Sequence, residues 1–304
     1  MQNEHPKSTF HTSVLMREVL EYLKPQPNKW YLDATFGGGG HTRAILDAEP
    51  TCHVVALDWD KEAIALNEPA LKSIYGDRIK VVWGNFAHLY KILKKEKIPA
   101  LDGILADFGT SQFQIHQKAG FSFAQDTALD MRMSPSHQRK TAADLLNTLD
   151  EKELANLFFL YGEEKKSFII AKRIVEQRKL KPFSTTSELV TLIEKIMPPQ
   201  SFKRQFGIHP ATRVFQALRI AVNDELENIK ILLGTAQHAL APDGRIVCIS
   251  FHSLEDRLVK NYFRDHENEF SLLTKKPVSA SEDELFANPS SRSAKLRAAQ
   301  KTRI

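Results

Sequence analysis

Trp30-Tyr31-Leu32-Asp33-Ala34-Thr35-Phe36-Gly37-Gly38-Gly39-Gly40-His41, with the second apolar run Val54-Val55-Ala56-Leu57-Asp58, decides the fold of this chain. The first run has the pattern of a buried strand. Four glycines then let the backbone turn sharply and come close to a ligand where a Cβ would obstruct it. His41-Thr42-Arg43-Ala44-Ile45-Leu46 continues as a helix whose free N–H groups point at the turn. Asp58 closes the next strand about 20 residues after the glycines, where a carboxylate accepts both hydroxyls of a ribose. This is the element order of a doubly wound α/β sheet carrying a nucleotide site.

The kind of nucleotide follows by elimination. A dinucleotide fingerprint requires Gly-x-Gly-x-x-Gly, but the third position is Thr42 counted from Gly37 and Arg43 counted from Gly38. A P-loop requires Lys-Ser/Thr after its last glycine, and His41-Thr42 stands there instead. A glycine turn with a ribose acid and no phosphate cradle suits S-adenosylmethionine, which carries a ribose, an adenine and an amino acid but no phosphate.

Outward from this stretch, Ile79-Lys80-Val81-Val82-Trp83 and Leu101-Asp102-Gly103-Ile104-Leu105-Ala106 read as further strands, ending at Gly84-Asn85-Phe86 and at Asp107. The alternation then stops. Helical patterns follow at residues 142–146, 151–161, 163–179 and 185–197, and the α/β pattern resumes with helices at 210–222 and 224–240 and a strand at 244–250. The expected organisation is therefore a discontinuous cofactor domain, residues 1–110 and 210–304, interrupted by a helical substrate-recognition domain, residues 111–209. Residues 278–293 read as a polar, loosely ordered stretch.

A chain of 304 residues with 42% hydrophobic and 26% charged residues can bury one large core or two ordinary ones. No apolar run approaches the roughly 18 residues of a membrane span, and the N-terminus lacks the apolar segment of a signal peptide, so a cytoplasmic protein without membrane partners is expected. Cys52 and Cys248 fall in or beside buried strands and read as reduced core thiols. The eleven histidines have no metal-ligand spacing, so no metal is expected. The net charge of +5 is mild, but residues 288–304 carry Arg292, Lys295, Arg297, Lys301 and Arg303 without an acid. Lys165, Lys166, Lys172, Arg173, Arg178, Lys179 and Lys181 add a second basic set in the helical block. Such clusters point to a polyanionic partner, although a solvated helix face explains the second set equally well.

In an open α/β sheet, ligands lie beyond the carboxyl ends of the strands, so Gly39, Asp58, Phe86 and Asp107 should converge on one crevice. Phe86 is placed to stack on an adenine ring or to serve as an ordinary strand-end aromatic. Asp107 is placed to accept a hydrogen bond from a target amine or to cap the following turn. His252 and Ser253 lack the Gly-x-Ser-x-Gly elbow of a hydrolase.

These residues carry a specific resemblance. His11-Thr12-Ser13-Val14-Leu15, residues 33–41, Gly120-Phe121-Ser122-Phe123, Leu129-Asp130-Met131-Arg132-Met133, Tyr161-Gly162-Glu163-Glu164, residues 209–220, residues 250–257 and residues 291–297 resemble, in order, the bacterial 16S ribosomal RNA cytosine-N4 methyltransferase family, also called RsmH or MraW. The resemblance implies a Rossmann-like class I methyltransferase sheet with an inserted helical domain. It further implies S-adenosylmethionine as cofactor, and 16S rRNA or the small ribosomal subunit as partner. The reaction would be methylation of the exocyclic N4 of cytosine 1402 in the decoding centre. Carried over by position, the cofactor contacts would be Gly39, Gly40, His41, Asp58, Phe86, Asp107 and Gln114. One segment departs. Where the family reads Asp-Leu-Gly-Val-Ser-Ser-Pro-Gln, this chain has Asp107-Phe108-Gly109-Thr110-Ser111-Gln112-Phe113-Gln114, which puts the loop and Gln114 in doubt.

The cytosine amine is a poor nucleophile because its lone pair is delocalised into the ring, so an acceptor for one N4 hydrogen would turn that pair toward the methyl group. Asp107, then Asp130, then Ser111 are the candidates for this catalytic role, and Phe121 and Phe123 are candidate walls for an extruded base. Two rival classes remain on sequence alone. One is an amine methyltransferase acting on DNA or protein; the other is a non-catalytic RNA-binding module, which would be expected to lose the acids Asp33, Asp58 and Asp107.

Overall fold

The computed structural model describes residues 13–109, 118–198 and 208–303. The chain divides into two compact units, Met1–Ser111 with Leu226–Ile304, and Gln112–Glu225. The first begins with α1 (Met16–Leu23) and alternates β1 (Trp30–Asp33), α2 (Gly40–Ala48), β2 (His53–Asp58), α3 (Lys61–Tyr75), β3 (Ile79–Trp83), α4 (Leu89–Glu96) and β4 (Leu101–Asp107). The second unit is helical: α5 (Ala142–Thr148), α6 (Glu151–Gly162), α7 (Ser167–Arg178), α8 (Thr186–Ile196) and α9 (Thr212–Asn223). α10 (Glu225–Ala239), β5 (Leu240–Ser250), α11 (Ser253–Asp265), β6 (Phe270–Leu272), α12 (Glu282–Ala287) and β7 (Lys295–Lys301) complete the first unit.

The sheet order is β3-β2-β1-β4-β5-β7-β6. β1 to β5 are mutually parallel, whereas β7 runs antiparallel to both β5 and β6. This is the doubly wound sheet expected from the sequence. Because side chains alternate across a strand, each strand feeds two cores. Leu32, Val55, Leu57, Ile104, Ile246 and Cys248 pack on one face with residues of α4, α10 and α11. Tyr31, Val54, Ala56, Leu105, Val247 and Ile249 pack on the other with α1, α2 and α3. Cys52 and Cys248 are buried free thiols, as anticipated.

The C-terminal segment departs from expectation. Residues 295–301, whose cations point to a polyanionic partner, form the strand that joins β5 to β6. Leu296, Ala298 and Ala299 are fully buried, and Arg297 is turned onto Asp256, Nε to Oδ1 at 2.6 Å. Lys301 Nζ donates to the Leu240 carbonyl at 2.7 Å, and Arg303 pairs with Asp243. The segment expected to be loosely ordered likewise holds α12, capped by Ser281, and a 3₁₀ turn at Pro289–Ser293, while Val278 bridges to Leu296.

In the helical unit, capping explains the boundaries. Thr141, Asp150 and Thr185 form capping boxes at the starts of α5, α6 and α8. Glu163 adopts a left-handed conformation (φ 49°), so α6 and α7 are separate helices where the sequence suggested one start at residue 163. α9 belongs to this unit, since Val214, Phe215, Ala217 and Leu218 share its core with Leu154, Leu157 and Phe158 of α6. The sequence reading had returned to the cofactor domain at residue 210; the compact unit extends to Glu225. Phe123, a candidate base wall, has its ring 5.0 Å from Phe215 and 4.8 Å from His209 and packs against that helical core.

Gly162 marks the tightest approach of α6 to α9: a Cβ there would stand 2.6 Å from the carbonyl oxygen of Arg213 and 3.3 Å from the Cβ of Ala217. Backbone cannot swing aside as a side chain can. Gly162→Ala is therefore expected to destabilise the helical unit by about 1–3 kcal/mol through overpacking. Thermal unfolding of the variant with an unaltered midpoint would refute this tight packing.

Candidate active site

All the groups of the candidate site that follow belong to the sheet unit. Asp33, fully buried at the end of β1, is a hub for the local turns: Oδ1 accepts the Thr35 N–H at 3.1 Å and Oδ2 accepts the Thr42 hydroxyl at 2.7 Å. The Thr35 hydroxyl in turn accepts the N–H of Asp107 at 2.9 Å, tying the end of β4 to that of β1.

The four glycines have unequal duties. Gly37 (φ 49°) donates its N–H to Asp58 Oδ2 at 2.7 Å. Gly39 (φ 74°) is buried, and a Cβ there would lie 3.0 Å from both Leu71 and Phe36 side chains, so its requirement is internal packing. A Cβ on Gly40 would run into Ser13 Oγ. Gly38 alone of the four is exposed, and a Cβ there would meet nothing within 4 Å. Asn67 of α3 braces the turn, its Nδ2 donating to the Gly37 carbonyl at 3.2 Å.

Asp58 terminates β2 as expected, and both its oxygens already hold N–H groups, of Gly37 and of Asp60 at 2.8 Å. Each oxygen keeps a second lone pair for a ribose hydroxyl. Burial pushes its carboxyl up to about 6, against the two N–H groups that favour the anion. Asp107 is raised similarly to about 6 by burial, opposed by His41 and reinforced by the charge of Asp33. The native state therefore takes up protons on both acids between their ordinary value of 3.8 and about 6, which stabilises the empty site as pH falls through that window. Above it both are anions, a pocket suited to a cationic ligand or to N–H donors.

Asp107 Oδ2 lies 3.8 Å from His41 Nδ1, and its Oδ1 is buried without a hydrogen-bond partner. The His41 ring is buried, with Nε2 2.9 Å from the Val14 carbonyl. Phe86, half-buried after β3, has its ring 6.2 Å from that of Phe108. Beyond β5, Glu255 is buried, with Oε2 accepting the Phe251 N–H at 2.7 Å and Oε1 3.2 Å from His252 Nε2. A Cβ on Gly109 would meet the Phe251 ring at 2.6 Å, so this glycine lets the β4 turn lie flat on the aromatic.

The expected contacts Gly39, Gly40, His41, Asp58, Phe86 and Asp107 thus all follow strand ends of one sheet. Ser111 and Gln114 lie outside the described residues. Asp130 belongs to the helical unit, where its carboxylate is clamped by the Arg132 guanidinium, Nε to Oδ1 at 2.7 Å and Nη2 to Oδ2 at 2.8 Å. Against the desolvation of partial burial, that clamp holds Asp130 below its ordinary value, so it is a poor proton acceptor. Asn67, Thr35 and Glu255 were missed as site residues. Only Glu255 had a local signal, three residues beyond His252 in a capping-box pattern.

The chain is similar to known proteins. The sequence profile of the MraW methylase family matches residues 8–302. Ribosomal RNA small subunit methyltransferase H of Nostoc punctiforme is 50% identical over 293 residues, covering 96% of this chain and 94% of the relative. The protein of that name from Crocosphaera subtropica is 48% identical over 306 residues, covering 98% of this chain and 92% of the relative. A solved rRNA methylase from Streptococcus thermophilus aligns over 95% of this chain and 94% of its own, with a TM-score of 0.44 and 8% identity.

Proposed function

The chain belongs to the MraW methylase family, and from that premise we propose that it transfers a methyl group from S-adenosylmethionine to the exocyclic N4 of a cytosine, C1402, of 16S rRNA. At the coarser level it is a small-subunit ribosomal RNA methyltransferase with S-adenosylmethionine as cofactor. The observation that carries the choice of an amine is Asp107: a buried carboxylate oxygen without a partner, at the end of β4, calls for an N–H donor.

The residues present fit the cofactor. Gly38 leaves room that a Cβ would fill, Asp58 keeps free lone pairs for ribose hydroxyls, and Phe86 offers a half-buried ring at the end of β3. The buried acids Asp33 and Glu255 and the half-buried Asp107 favour a cationic guest. When bound, the sulfonium supplies an electrophilic methyl group. The protein has then to align the amine, an effect worth up to roughly 7–11 kcal/mol in well-oriented intramolecular reactions. Asp107 Oδ1 accepts one N4 hydrogen, which rotates the nitrogen lone pair toward the methyl, and takes that proton after transfer. Asp130, saturated by Arg132, does not compete for the role.

The exposed Lys165, Lys166 and Lys172 of the helical unit supply phosphate contacts for the RNA. Arg178 does not, because its guanidinium donates to the Leu146 and Leu149 carbonyls. Among the described residues no helix is long and apolar enough to cross a membrane.

Transfer of label from the methyl-labelled cofactor into 30S subunits, naked 16S rRNA, DNA and protein, followed by nucleoside analysis, tests the proposal. N4-methylcytidine at C1402 is expected; label in DNA or protein alone would refute it. A separate prediction concerns Asp58. Asp58→Ala removes a charge-assisted acceptor, worth roughly 1.5–3 kcal/mol, and releases the Gly37 N–H, so cofactor affinity should fall at least about tenfold. Calorimetry giving the wild-type affinity for a folded variant would take Asp58 out of the site.

A further inference from the structure

The His41 ring has its hydrogen-bonding state dictated by its neighbours. Nε2 faces the Val14 carbonyl at 2.9 Å, and a carbonyl only accepts, so Nε2 carries a hydrogen. In the neutral imidazole this leaves Nδ1 as a bare lone pair 3.8 Å from Asp107 Oδ2, another lone pair. At 3.8 Å the two atoms are beyond hydrogen-bond reach but close enough to act on each other electrostatically, and a proton on Nδ1 would turn that repulsion into attraction. The other groups around Asp107 are the acids Asp33 and Glu255, which repel a further anion, and the Gly109 N–H, which stabilises it. Among the described groups acting on Asp107, His41 is the one that can supply positive charge.

Resting on the methyltransferase reading above, we propose that His41 is a positioning residue whose charge keeps Asp107 anionic while its Oδ1 accepts the hydrogen of the target amine. In that form the His41 charge lies beside Oδ2, and Oδ1 is left without a protein partner. After methylation the amine nitrogen is cationic. One N–H bond breaks, its electron pair stays on nitrogen, and the proton forms an O–H bond with Oδ1. The product is a neutral amine, a neutral carboxyl and an imidazolium, and the excess proton then leaves to water. Burial raises the Asp107 carboxyl to about 6 even with His41 opposing it, so removal of the imidazolium should raise it further.

The test is single-turnover methyl transfer into 30S subunits by the full chain, from about pH 5 to about pH 9, for the wild type and His41→Gln. The glutamine amide can still donate to the Val14 carbonyl but carries no charge. The wild-type rate should fall as pH drops through about 6. The variant, normalised to its own plateau, should show the same fall displaced upward by about one pH unit, a tenfold lower relative rate on the acid limb. Superimposable normalised profiles would overturn the proposal, because loss of packing or of cofactor contact lowers the rate without moving the limb. If no RNA is methylated at all, the proposed function fails and the pair is still testable by NMR. In cofactor-free protein the Asp107 carboxyl carbon should titrate about one pH unit higher in His41→Gln than in the wild type. The same transition in both proteins would overturn it there.

Discussion

A chain lacking residues 288–304 is expected to lose its fold, not merely a contact with RNA. The deletion removes β7, which holds β5 on one side and β6 on the other. It strips Leu296, Ala298 and Ala299 from both cores and leaves Asp256 without the Arg297 guanidinium. The exposed edge of β5 would present a row of unpaired backbone groups, a template for aggregation. Typical domains have only about 5–15 kcal/mol of net stability, less than the loss of an internal strand takes away. The truncated protein should be insoluble or show no cooperative thermal transition. A soluble truncation with the wild-type melting temperature and cofactor affinity would refute this role of β7.

Asp107→Asn should lower the single-turnover rate at saturating cofactor by roughly a hundredfold or more, in the range associated with losing a positioned proton acceptor. The amide is nearly isosteric and its oxygen can still accept the Gly109 N–H, so the turn after β4 should survive. It carries no charge to stabilise the cationic amine, and it is a far weaker base. If Asp107 only contacted the cofactor, the substitution would raise the dissociation constant and leave the saturated rate nearly intact. A near-normal rate at saturation would therefore end the catalytic role. Asp130 would be an unpromising heir while Arg132 clamps both of its oxygens.

The parallel half of the sheet was legible because its strands are short apolar runs that end in a polar turn: Asp33 after β1, Asp58 closing β2, Gly84 after β3, Asp107 closing β4. The acids legible there are the ones the strand ends bring to the crevice. β7 was not legible, for a physical reason. Lys295-Leu296-Arg297-Ala298-Ala299-Gln300-Lys301 mixes cations with alanine, which has little preference for strands, and pairing with β5 and β6 specifies it. Charge counted along the sequence suggested a cluster for a polyanionic partner; Arg297 on Asp256 and Lys301 on a carbonyl show two of those charges committed inside the fold. Asn67 was invisible for another reason. It is one polar residue among the several of an amphipathic helix, and only the folded turn reveals that its amide braces Gly37. The inward turn of His41 depends likewise on the Val14 carbonyl, a backbone group that no side-chain motif records.

The interruption of the sheet has a kinetic consequence. Ile104 and Ile246 are register partners on adjacent strands, yet the entire helical unit lies between them in the chain. Joining β4 to β5 from an unfolded chain means closing a very long loop before any pairing energy returns, the circumstance that slows folding of non-local topologies. The helical unit has its own buried cluster and sequential helices, so its contacts can form early and shorten the effective loop. The expected order is that β1 to β4 and the helical unit form separately and the seam between β4 and β5 closes after them. Asp107 stands on that seam opposite Ile249, so the proposed acceptor would reach its place only once the seam has closed.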